Sequence, residues 1–181
     1  MNDQKTQDHE GDAKTLSPLL PQDVEDAAAT LLEACCDAGI KVATAESCTG
    51  GLIASLLTDV EGASHAFDRG FVAYSEDAKC AMLGVRRDEI DRHGAVSEAV
   101  AKAMVRGALE YSGADIALAI TGDAGAAPRG EEDGLVHFAC MRRGGTPRHR
   151  AEHFGPVGRG PVRIGSLRIA LKMMRDAVDE H

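Results

Sequence analysis

Ala45-Glu46-Ser47-Cys48-Thr49-Gly50-Gly51 sits where a β-like run, Lys41-Val42-Ala43-Thr44, gives way to an apolar helical pattern at Leu52, Ile53, Leu56 and Leu57. A strand that turns into a helix through serine, threonine and two glycines exposes backbone N–H groups, because the first helical turn has no internal acceptors for them. The glycines let a ligand approach the backbone closely. Such a turn binds an anion or an oxyanion and can present a nucleophile. The same residues also read as a plain helix start with Ser47 or Thr49 as N-cap.

Working outward, the chain alternates helix and strand. Pro21-Gln22-Asp23 opens a helix with Val24, Ala27, Ala28, Leu31, Leu32 and Cys35 on one face, and Gly39 ends it. After the central turn, Val60 to Ser64 reads as a loop and Phe71-Val72-Ala73-Tyr74 as a short buried strand. Ser75 caps a helix over Glu76 to Leu83, with Lys79 one turn in, and Gly84 stops it. Arg87 to Arg92 reads as a short helical piece. Ser97 caps a longer helix to about Ser112, with Val100, Ala101, Met104, Val105 and Ala108 facing inward. The run Asp115 to Thr121 is almost wholly apolar, as in a strand buried on both faces. Leu135 to Met141 and Arg148 to Phe154 form a hairpin around Arg143-Gly144-Gly145-Thr146, and a helix from Val162 to about Val178 closes the chain. The pattern predicts an α/β fold with a mixed sheet between helical layers. Residues 1–20 read as a disordered leader and 21–181 as one domain. Glycine-containing loops follow the strands ending near 45, 121 and 154. In such sheets ligands bind at the carboxyl ends of strands.

Composition narrows the function. The chain has 181 residues, 44% hydrophobic and 27% charged, with 3% aromatic, no Trp and a net charge of −9. Few aromatics and negative charge argue against nucleic-acid binding. No apolar run is long enough to cross a bilayer, and the polar, acidic N-terminus does not read as a signal peptide. Five cysteines without a C-x-x-C pair fit a reduced, cytoplasmic protein. His149 and His153 read as ordinary surface histidines rather than a zinc site.

Ser47 is the first candidate nucleophile. G-x-S-x-G is absent and no Ser-His-Asp order is suggested, so another base is needed to take its proton. Lys79 qualifies if it is half-buried, since desolvation lowers an amine's proton affinity; otherwise it is a solvated helix lysine. Tyr74 reads either as a proton relay or as a core residue with a wet tip. Cys48 reads mainly as packing, with a useful backbone N–H. Thr121-Gly122-Asp123-Ala124-Gly125 reads either as a loop with amides facing a ligand or as a simple turn. Arg159 and Arg163 sit where a phosphate would be forked, while most of the other arginines between 142 and 175 read as solubilising surface.

Four motifs, Ala45-Glu46-Ser47-Cys48-Thr49-Gly50-Gly51, Tyr74-Ser75-x-x-Ala78-Lys79, His93-Gly94-Ala95-Val96-Ser97 and Thr121-Gly122-x-Ala124-Gly125, stand in the order and spacing of the CinA C-terminal domain family. The chain resembles that family over about Val24 to Val178. The family includes the bacterial nicotinamide mononucleotide deamidase. The resemblance implies a three-layer α/β/α sandwich, a homodimer, and hydrolysis of nicotinamide mononucleotide to nicotinate mononucleotide and ammonia without metal or cofactor. It implies Ser47 as nucleophile, Lys79 as base and Tyr74 as assistant. Amides from Cys48, Thr49, Gly50 and Gly51 would hold the oxyanion, Thr121, Gly122 and Gly125 would line the pocket, and Arg159 or Arg163 would take the phosphate. The chain departs from the family pattern in two loops. Asp123 and Ala126 replace the usual residues of T-G-I-A-G-P, and Phe154-Gly155-Pro156-Val157-Gly158-Arg159 replaces F-x-G-D-R. An inward-facing Asp123 would repel a phosphate, so a nucleotide-binding or regulatory protein with weak or no activity is the alternative, and a structural partner in competence or DNA-damage responses a third.

Overall fold

The computed structural model describes residues 20–125 and 132–180. The leader expected over 1–20 lies outside these residues except for Leu20, which packs against the core. Five strands form one sheet in the order β2-β1-β3-β4-β5: β1 (Val42–Glu46), β2 (Phe67–Val72), β3 (Ile116–Gly122), β4 (Leu135–Arg142) and β5 (Arg148–His153). β1 runs parallel to β2 and β3, β4 antiparallel to β3, and β5 antiparallel to β4. The sheet is therefore mixed, and the carboxyl ends of β1, β2, β3 and β5 share one edge.

Side-chain alternation divides the core in two. Val42, Ile116, Leu118, Ile120, Val136 and Phe138 face a layer made by α1 (Gln22–Ala38), α2 (Leu52–Thr58) and α6 (Arg159–Asp179). Ala43, Ala45, Ala117, Ala119 and Ala139 face α3 (Glu76–Leu83), α4 (Arg87–His93) and α5 (Glu98–Glu110). The alanines on this second face let α5 lie close to the sheet. Val100, Ala101, Met104, Val105 and Ala108, expected to face inward, are all buried. Helix α3 lies so close to α5 that a Cβ on Gly107 would sit 1.9 Å from the Leu83 carbonyl oxygen, so only glycine fits there. The three-layer α/β/α sandwich follows directly.

Caps agree with the sequence at α3 and α5. Ser75 Oγ accepts from Ala78 N, and Ser97 Oγ from Val100 N. Two elements differ. The second strand starts at Phe67 rather than Phe71, ends at Val72, and is largely uncovered, with Phe71 its one buried residue. It is an edge strand, bonded on one side only. Gly70 within it admits the helix behind: a Cβ there would come 2.7 Å from Ala54 Cβ. The closing helix starts at Arg159, three residues early, after an N-cap at Gly158. Pro161 is tolerated because it falls in the first turn, where its missing N–H has no partner to lose.

Candidate active site

Alternation out of β1 sends Glu46 toward α2 and Ser47 toward α3. Ser47 is 5% exposed, and its N–H donates to Ile120 O at 3.0 Å, which fixes it to β3. On α3, the Ser75 cap sets the helix so that Lys79 points down onto the sheet, where it is 2% exposed. Lys79 Nζ lies 3.1 Å from Ser47 Oγ, a contact across 32 residues. Burial is the main cause holding the Lys79 amine below the ordinary lysine value of 10.5, with Cys48, Glu76 and Asp123 opposing. A solvated helix lysine is therefore excluded. The pair can do general-base chemistry, since a neutral amine accepts the hydroxyl proton that an ammonium cannot.

The turn after Ser47 is not a helical turn. Gly50 and Gly51 both have positive φ, 63° and 88°, and α2 starts only at Leu52, with Gly51 as an N-cap that offers no side chain. The N-cap reading of Ser47 and Thr49 is thus overturned. The first free amides of α2 are not open to an anion either. Ile53 N and Ala54 N donate to the Glu46 carboxylate at 3.1 and 2.8 Å. Within the turn, Gly50 N donates to Ser47 O at 3.0 Å. The Cys48 thiol is pushed up to about 12, chiefly by burial, which leaves it a packing group rather than a rival nucleophile.

Arg159 and Arg163 stand one helical turn apart, so i,i+4 spacing puts them on the same side of α6. Arg163 Nη2 donates to Thr49 O at 2.7 Å, and its tip is the nearest group to a Cβ built on Gly50. Arg159 is the nearest group to a Cβ built on Gly125, at 3.0 Å. The glycine loops after β1 and β3 and the start of α6 therefore meet at one edge. Two buried polar atoms at this junction, Thr49 Oγ1 and Arg163 Nε, have no hydrogen-bond partner among the described residues. The other C-terminal cations are occupied elsewhere: Arg168 pairs with Asp23, Arg150 with Glu152, Arg148 with Glu180, and Arg143 bonds the carbonyls of Leu109, Ser112 and Ala114.

Other expected residues are placed differently. Thr121 is buried, and its Oγ1 donates to Ala95 O at 2.7 Å, tying β3 to the connection before α5. Gly122 is the last residue of β3, and a Cβ there would lie 2.7 Å from Leu135 O, so the sheet itself accounts for this glycine. Tyr74 is 65% exposed, just before the Ser75 cap, and is not a core residue. Asp123 lines a cleft of about 450 Å³ with Glu76, His93, Ala95 and Leu135, on the α4–α5 side, and its charge acts on both Lys79 and Cys48. The Asp123 carboxylate thus lies on the dyad side of its loop. Residues 126–131 of that loop lie outside the described residues.

His149 pairs not with His153 but with His137, whose Nδ1 lies 3.0 Å from His149 Nε2; His153 meets Glu132. Among the described residues no group of three or more His, Cys, Asp or Glu is placed to hold a metal ion, and no helix is long and apolar enough to cross a membrane.

The motif order and the sandwich agree with comparison to known proteins. Residues 24–178 match the CinA C-terminal domain. The chain belongs to the CinA family. It is 45% identical over 159 residues to a CinA-like protein of Mycolicibacterium vanbaalenii, covering 86% of this chain and 36% of that one. It is 54% identical over 111 residues to a CinA-like protein of Akkermansia muciniphila, covering 60% of this chain and 27% of that one. The chain thus spans roughly a quarter to a third of these family members' length. Among solved structures, the competence/damage inducible protein CihA from Agrobacterium tumefaciens superposes with a TM-score of 0.84 at 42% identity, covering 88% of this chain and 98% of that one. A CinA superfamily protein from Klebsiella pneumoniae gives 0.83 at 32% identity, covering 88% and 100%.

Glu46 is the functional-region residue that motif reading passed over. Its signal was present: a carboxylate ends an otherwise uncharged strand, just ahead of a helix whose own N-cap is glycine.

Proposed function

We propose that this CinA-family chain is an amidohydrolase that converts nicotinamide mononucleotide to nicotinate mononucleotide and ammonia. The observation that carries the reading is the 3.1 Å contact between two buried groups, Lys79 Nζ and Ser47 Oγ. Neutral Lys79 takes the hydroxyl proton as Oγ attacks the carboxamide carbon. The resulting oxyanion is held by turn amides; with Ser47 N and Gly50 N already spent, Cys48, Thr49 and Gly51 supply them. Protonated Lys79 returns the proton to the departing ammonia. Water then cleaves the ester on Ser47 with Lys79 again as base, releasing the nicotinate product and restoring the hydroxyl.

Arg159 takes the phosphate at the start of α6. Arg163 shares that role while holding the Thr49 carbonyl. Tyr74, exposed just ahead of the Ser75 cap, assists by contacting the substrate rather than the dyad, and Thr121 and Gly125 shape the wall. The reading carries with it a cytoplasmic homodimer acting on a small nucleotide, with no metal, nucleic acid or membrane. A binding protein without turnover is the second reading. It is favoured by Asp123, whose charge works to keep the proton on Lys79.

Incubation of the whole chain with nicotinamide mononucleotide should release ammonia and nicotinate mononucleotide in equal amounts. Arg159→Ala should raise KM for this substrate about tenfold or more, the worth of a charged hydrogen bond, and leave the KM for unphosphorylated nicotinamide riboside unchanged. Nucleotide binding with no ammonia would establish the second reading instead.

A further inference from the structure

Glu46 occupies a singular place: it ends β1, directly precedes the serine, and is 1% exposed. Its carboxylate is filled by three donors. Oε1 accepts from Ala54 N at 2.8 Å and from Thr44 Oγ1 at 3.3 Å, and Oε2 accepts from Ile53 N at 3.1 Å. Its backbone is held as well, with Glu46 O accepting from Ala73 N at 2.8 Å. One residue therefore grips the sheet through its main chain and the first turn of α2 through its side chain.

The segment between those two grips, Ser47 to Leu52, is the turn that presents the nucleophile. It contains two glycines in the left-handed region, which on their own leave a chain loose. The helix it leads into has no local N-cap side chain. Hydrogen bonds to an ionised acceptor are about twice as strong as neutral ones, and here two of them close a ring over residues 46–54. A buried carboxylate also pays a large desolvation cost unless its lone pairs are filled, so the arrangement is sharply defined: slack in the turn would empty one or more of the three bonds.

We infer that Glu46 is a positioning residue that locks the Ser47–Gly51 turn, and with it the Ser47 hydroxyl and the turn amides, in register with Lys79. The inference rests on the amidohydrolase reading for its catalytic consequence only. The clamp itself is independent of any substrate.

Glu46→Gln tests it, because glutamine keeps the volume but sets an NH₂ group against a backbone N–H that needs an acceptor. The expected result is a kcat for ammonia release from nicotinamide mononucleotide lowered about tenfold or more, with KM within twofold. Hydrogen exchange at Cys48 to Ala54 should accelerate by a similar factor while the rest of the sheet is unchanged. An unchanged kcat, or unchanged exchange across 48–54, overturns the inference. If the wild-type protein releases no ammonia, the amidohydrolase reading fails separately. Exchange and a crystal structure of Glu46→Gln then decide the clamp, and a Ser47 Oγ to Lys79 Nζ separation still within hydrogen-bond reach overturns it. Should Glu46→Gln not fold, Thr44→Val removes only the weakest of the three donors. It should give the same changes at two- to fivefold, and no change there counts against the clamp.

Discussion

Lys79→Met is expected to abolish ammonia release and, at neutral pH, to make the protein more stable. Both effects come from one fact: an amine that is 2% exposed, with no carboxylate bonded to it among the described residues, sits on the underside of α3 against the sheet. Its burial favours the neutral form, so its folded-state pKa lies below 10.5. In the unfolded chain the amine titrates at the ordinary value. Between the two values the unfolded state binds more protons, and stability of the wild-type protein rises with pH across that window. Below it, the full cost of burying the charge is present. Methionine has similar length and no charge, so its advantage over lysine is greatest at low and neutral pH and shrinks as pH rises toward 10.5. Chemical denaturation at several pH values reads this directly. For the wild-type enzyme, kcat/KM should fall on the acid side with a midpoint below 10.5, and the variant should be inactive throughout. Loss of stability in Lys79→Met at neutral pH would mean that the ammonium is satisfied where it sits, and is not a base in waiting.

Ser47→Ala carries the second large effect. Removing a nucleophile that works as a unit with its base costs on the order of 10³-fold or more in kcat. The fold should persist, because Ser47 is anchored through its N–H to Ile120 O and not through its hydroxyl. The variant removes the Ser47 hydroxyl to which the Lys79 amine bonds, at a cost to stability of about 1–3 kcal/mol. Opposite stability changes in Ser47→Ala and Lys79→Met, with activity lost in both, would separate the dyad from a merely structural contact. Ammonia release at the wild-type rate by Ser47→Ala would remove Ser47 from the mechanism.

Much of this geometry was legible in the chain. Helix α5 and strand β3 showed plainly, because a one-sided apolar stripe and an unbroken apolar run have few alternative readings. Ser75 and Gly84 marked both ends of α3, and so placed Lys79 one turn in. Its burial did not follow from the local sequence, in which Glu76 and Asp77 look like a solvated first turn. Side-chain chemistry made Lys79 a candidate base for Ser47, and family resemblance singled the pair out, since no spacing rule joins residues 32 apart.

Other features were hidden for identifiable reasons. Strand β2 carries Asp68, Arg69 and Gly70, which give no apolar strand signal; an edge strand tolerates them because one side and much of one face meet solvent. The start of α6 was masked by Gly158, Gly160 and Pro161, each of which resembles a loop residue but fits a cap or first turn. The Glu46 clamp escaped because local capping looks from N-cap to N3, while this carboxylate reaches amides seven and eight residues ahead.

A buried, readily deprotonated amine serves the Ser47 hydroxyl. An NMR titration of the Lys79 side chain in isotope-labelled protein measures that state without any substrate. The midpoint should lie clearly below 10.5, with the Ser47 hydroxyl still bonded to the neutral amine. A midpoint at or above 10.5 would contradict it, because Lys79 would then hold its proton throughout the physiological range.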